Sequence, residues 1–170
     1  MFHLKFCRRL LGKGEINTMK LAEALILRAD CQKRISQLES RLIANAKVQE
    51  GDEPGEKPEE LMAELENVSS QLLDLIKRIN KTNSTTNFNE NKTLSDVLAE
   101  RDVFVIRRRV LNNLAANAGA RQDRYTRSEV KYISTISIAE TQKRVDELAR
   151  NHRELDARIQ ELNWVTVLVD

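Results

Sequence analysis

Apolar residues recur at three- and four-residue steps along two stretches of this sequence. One runs through Leu61, Leu65, Val68, Leu72, Leu75 and Ile79, the other through Val145, Leu148, Leu155, Ile159 and Leu162, with His152 taking one step of the second series. Side chains at that spacing return to the same side of an α-helix, so each stretch predicts a helix with one narrow apolar seam and charged flanks. A seam of this width asks for another helix laid along it. The repeat therefore constrains architecture far more than activity.

Composition agrees with long, surface-rich helices. Charged residues make up 32% and aromatics 4% of the 170 residues, with five Gly and two Pro, which argues against an all-β or doubly wound fold. The expected class is all-α, an antiparallel four-helix bundle with coiled-coil-like helices. The 28 basic and 26 acidic residues nearly cancel, so the chain as a whole has no strong field to gather nucleic acid or anionic lipid, and any such binding must be local. Cys7 and Cys31 are too few and too far apart for a disulfide scaffold or a four-ligand zinc site, and read as thiols of a reducing, cytoplasmic setting. No stretch approaches the roughly 20 apolar residues of a membrane-spanning helix.

Residues 1–18 carry Lys5, Arg8 and Arg9 before a short apolar core that Gly12, Lys13, Gly14 and Glu15 end at once. That core is short for a secretory signal and no small-residue cleavage site follows it. The codons of residues 13–15 can spell a ribosome-binding sequence just upstream of Met19, which points to a natural start at Met19 and a leader outside the protein, the alternative being a disordered or weakly helical N-terminal arm. Residues 19–170 then form a single helical domain.

Helix one is expected over 19–49, with Leu21, Ala24, Leu25, Cys31, Ile35, Leu38 and Leu42 at seam spacing and Arg28 interrupting them. A breaker-rich run over 50–58 follows, and Pro58 before Glu59 and Glu60 is suited to open helix two as the second arm of an antiparallel hairpin. Polar residues 82–91 make the next connection. Thr93 with Asp96 forms a capping-box pattern that starts helix three, extended to Gly119 and expected to be the most buried, since Val97, Val103, Phe104, Val105, Ile106, Val110, Leu111 and Leu114 spread over much of its circumference. Alternation through Val130, Tyr132, Ser134, Ile136 and Ile138 predicts a short strand, and the β-rich residues 164–169 could pair with it. Between them lies helix four, over 139–162.

Carboxylate-bridged di-iron chemistry needs Glu-x-x-His pairs that set an oxygen and a nitrogen ligand on one helical face. Neither His3 nor His152 has a Glu three residues before it, so no metal or other cofactor is expected. Seam residues Arg28 and His152 read as polar interruptions that set helix register or oligomer state. Cys31, also on a seam, reads as a small hydrophobe, and no Gly-x-Ser-x-Gly or Gly-rich phosphate loop is present, so an enzyme is not expected. Basic residues gather at Arg107, Arg108 and Arg109, and at Arg121, Arg124, Arg127 and Lys131 around Tyr125 and Tyr132. The second group mixes cations with aromatics as single-strand-binding surfaces do. It reads either as a contact for nucleic acid or another polyanion, or as one side of a salt-bridge network with a neighbouring helix or subunit. In the same way Arg101, Arg107 and Arg108 are expected to pair with carboxylates such as Glu100 and Asp102 from a neighbour.

Several strings together resemble a known family: Met19 to Leu25 with Arg28-Ala-Asp and Gln32-Lys-Arg-Ile, Asn45-Ala with Val48-Gln-Glu-Gly, Arg78-Ile-Asn, residues 124–131, Arg153-Glu-Leu-Asp, and Asn163-Trp. They resemble the small bacterial proteins labelled septicolysin-like, which have a corynebacterial prototype of unknown function. The label implies a membrane-active cytolysin, but the chain lacks a convincing export signal, a Trp-rich tip loop and the long amphipathic strands of a pore. The expected function is that of an oligomeric structural or interaction protein, with polyanion binding as the alternative and the cytolysin as the third.

Overall fold

The computed structural model describes residues 19–119 and 133–170. Four helices carry these residues: α1 (Leu21–Ala44), α2 (Pro58–Thr85), α3 (Leu94–Gly119) and α4 (Ile138–Val165). The class is all-α, and the described residues contain no sheet. The chain divides into two compact units, Met1–Thr85 with Asn163–Asp170, and Thr86–Leu162.

In the first unit α1 and α2 form the expected antiparallel hairpin. Leu38, Leu61 and Val68 are buried between them, with Cys31, Ile35, Leu42 and Leu65 packed against that cluster. Pro58 does open α2, and Lys57 accepts the N–H groups of Glu60 and Leu61 through its carbonyl. Helix α1 ends at Ala44, five residues before the expected limit, because Asn45 caps it. Its amide donates to the Arg41 carbonyl at 2.9 Å, while its side-chain oxygen accepts the Glu56 N–H at 3.0 Å across the connection. That connection turns at Gly51, whose φ of +96° favours glycine. Arg41 bonds Glu56 beside the same turn. This hydrogen bond raises the Arg41 pKa and lowers that of Glu56.

The β-rich C-terminal run is a correction. Trp164 and Val165 complete the last turn of α4, so only the residues after them are extended. Those residues pair with the start of α1 rather than with an earlier strand: Leu21 N–H donates to the Thr166 carbonyl at 2.9 Å and Leu168 N–H to the Met19 carbonyl at 2.8 Å. Residues 133–137 form no strand, Ser137 is positioned as the N-cap of α4 with its hydroxyl accepting the Glu140 N–H at 3.2 Å, and Ile138 is helical. Alternating β-branched residues without a neighbouring strand have no ladder to join. Val130 and Tyr132 lie outside the described residues.

In the second unit a tight turn precedes α3. Phe88 N–H donates to the Lys92 carbonyl at 2.8 Å and Leu94 N–H to the Thr86 carbonyl at 2.8 Å. Thr93 and Asp96 make the expected capping box, with the Thr93 N–H 2.8 Å from Asp96 Oδ2 and the Asp96 N–H 3.3 Å from Thr93 Oγ1. Helices α3 and α4 run antiparallel, tied by Arg101 to Asp156 at 3.5 Å, and the Arg158 guanidinium lies 4.5 Å above the Phe88 ring. The seam of α4 faces inward, with Val145, Leu148 and Ile159 buried.

Candidate functional site

Helix α3 overturns the expectation of greatest burial. Only Leu94, Val97 and Ala115 are buried on it, whereas Val103 (49%), Ile106 (51%), Val110 (55%) and Leu114 (43%) are exposed. The cause is geometric. Apolar residues that wrap around a helix cannot all meet one neighbour, and Phe104, Leu111 and Ala115 make up the less exposed face of this one. At 100° per residue, Val103, Ile106, Val110 and Leu114 fall on a single strip beside that face.

Charged residues line both edges of the strip. Glu100 and Arg107 flank it on one side, Asp102 and Arg109 on the other. Glu100 bonds Lys92 at 2.5 Å and Asp102 bonds Arg101 at 3.0 Å, both at the surface. Arg107, Arg108 and Arg109 are exposed and make no ion pair among the described residues. Arg101 is half-buried and paired, to Asp102 on its own helix and to Asp156 on α4.

A cleft of about 560 Å³ lies between α3 and α4, lined by Phe104, Arg107, Arg144 and Glu147 and, from the strip itself, by Ile106 and Val110. It offers two guanidinium groups and one carboxylate on an apolar floor. No thiol or imidazole lines it, and a lone carboxylate there has no partner with which to divide acid and base roles. Among the described residues no group of His, Cys, Asp or Glu is placed to hold a metal ion, and no helix is long and apolar enough to cross a membrane.

Arg28 and His152, the two seam interruptions, are both half-buried, Arg28 on α1 and His152 on α4. The Arg28 Nε is buried with no hydrogen-bond partner among the described residues. Arg121, Arg124, Tyr125, Arg127, Lys131 and Tyr132 lie outside the described residues. What the sequence reading missed is the strip on α3. Its three- and four-residue spacing was present, but Phe104, Val105 and Leu111 on other faces of the helix obscured it.

Residues 28–168 match the model of a family of unknown function, DUF6847. The chain belongs to that family. It is similar to a solved structure, described as a functionally unknown conserved protein from Corynebacterium diphtheriae, at 47% sequence identity and a TM-score of 0.85. The match covers 90% of this chain and 100% of that one. No curated protein matches the chain. These findings bear out the coarser part of the resemblance, a family of unknown function and a corynebacterial neighbour of unknown function, and lend nothing to the septicolysin label.

Proposed function

We propose that this protein is a structural or interaction protein that works as a homo-oligomer, without catalysis of its own. The observation that carries this reading is the exposed apolar strip of α3, four large side chains in register on a helix whose other face is already packed. Isolated exposed apolar residues are ordinary, but a contiguous strip edged by charge is the usual mark of a protein contact. Self-association is favoured because helical proteins with an uncovered seam commonly complete their burial with a symmetric copy. A cytoplasmic setting accompanies the reading, on cysteines too few and too far apart for a disulfide scaffold.

Light scattering on a sizing column tests it directly. The expected mass is a multiple of the 19.5 kDa chain at micromolar concentration, and a monomer throughout that range removes the reading. The alternative, polyanion binding through residues 121–132, gains support from Arg107, Arg108 and Arg109, which add exposed cations without carboxylate partners among the described residues. It requires affinity that falls steeply as salt rises. The cytolysin suggested by the septicolysin-like strings requires dye release from liposomes.

A further inference from the structure

We propose that a second copy of this chain covers the strip, α3 lying antiparallel against α3 about a two-fold axis near Phe104 and Val105. This rests on the homo-oligomer reading and adds to it the surface, the direction and the register. Val103, Ile106 and Val110, preceded by Ala99, occupy alternating a and d positions of a heptad, so these four have the spacing of a short coiled-coil seam, with Leu114 on its flank. Antiparallel helices pair an a position with a d position of the partner. Setting Val103 against the partner's Ile106 also sets Val110 against the partner's Ala99.

In that register the flanks pair as well. Glu100 meets the partner's Arg107 and Asp102 meets the partner's Arg109, and the two-fold axis repeats each pair, which gives four contacts of opposite charge. Sliding one helix by a heptad brings Arg107 against Arg107 and Arg109 against Arg109, which repels. A parallel pair leaves Arg109 opposite the partner's Leu114, with no charge to answer it. The pattern therefore discriminates among arrangements that the apolar seam alone would accept. Glu100 and Asp102 already touch Lys92 and Arg101, but their side chains remain 41% and 67% exposed and can accept a second cation.

The four apolar side chains expose on the order of 300 Å² per copy, the size of the largest apolar patch on an ordinary monomer, which is often functional. With the flanks this falls short of the roughly 800 Å² per partner of a standard interface, which puts the contact among reversible, transient ones. Surface charge pairs fix register and encounter more than affinity.

Light scattering over about 1 to 200 μM, the range over which such a dimer exchanges with its monomer, is the experiment, with circular dichroism to confirm that each variant keeps its helix content. Ile106→Glu should raise the dissociation constant by at least about tenfold. Asp102→Arg and Arg109→Asp should each weaken the dimer alone, and mixing these two variants should restore it, because each then supplies the charge the other lacks. A wild-type monomer throughout overturns both this proposal and the reading it rests on. A wild-type oligomer indifferent to Ile106→Glu leaves the oligomer reading standing and overturns the α3 surface. Loss with Ile106→Glu but no rescue on mixing overturns the antiparallel register.

Discussion

Asp96 shows how much a single pair of residues settles. Its carboxylate accepts the Thr93 N–H at 2.8 Å and the Thr93 hydroxyl at 2.7 Å, and these bonds hold its pKa below the ordinary Asp value, with Lys92 adding a smaller effect of the same sign. A folded pKa below the unfolded one means that the stabilisation is fully present above the unfolded value, near 3.9, and is lost as pH falls through the folded value. The first turn of α3 should accordingly loosen only in acid. Carboxyl titration by NMR should find Asp96 below the normal Asp range, and Thr93→Ala should move it upward while costing about 1 kcal/mol as a lost cap. An Asp96 titration unaltered by that substitution would contradict the assignment. This pair was legible in the sequence because capping chemistry is local. The caps by Asn45 and Ser137 rest on equally local bonds, yet a breaker-rich run and an alternating run concealed them.

The starts of α2 and α3 were legible at Pro58 and at the Thr93–Asp96 box, whereas α1 stops five residues early and α2 runs on to Thr85; the residues of the two narrow seams are nonetheless largely buried, with Leu61, Val68, Leu75 and Ile79 buried on α2. The extended C-terminal residues were not legible, because a pairing partner more than a hundred residues away leaves no trace in local propensity. They are held in part by Thr82, which is fully buried: its hydroxyl donates to the Arg78 carbonyl at 2.8 Å and accepts the Val169 N–H at 3.0 Å. Arg78 adds a 2.6 Å bond to the Asp170 carboxylate and Lys81 a 2.5 Å bond to its main-chain oxygen. Thr82→Val keeps the shape and removes the hydroxyl, leaving the Val169 N–H unpaired at a cost of about 1–3 kcal/mol. Amide exchange at Val169 should speed up while exchange in the middle of α2 stays slow. Equal protection in the variant would show that the hydroxyl does not hold the segment.

Across the whole molecule, the seams that first predicted assembly are largely buried, with Leu61, Val68, Val145 and Ile159 among the least exposed residues, and the apolar strip proposed for a partner belongs to the helix expected to be deepest. The near-cancelling charge of +2 is equally uninformative in total, because the proposed dimer draws on local order alone: Glu100 and Asp102 sit one heptad before Arg107 and Arg109 along the same strip. Two substitutions separate folding from assembly. Leu38→Ala removes a fully buried side chain of the first unit and should cost about 2–5 kcal/mol, lowering the melting temperature at every protein concentration. Ile106→Glu replaces a half-exposed residue and should change monomer stability by less than about 0.5 kcal/mol. Association stabilises the folded state by mass action, so the wild-type melting temperature should climb with protein concentration. The Ile106→Glu melting temperature should stay flat, because its folded state gains nothing from a second copy; a slope equal to that of the wild type would place the contact on another surface.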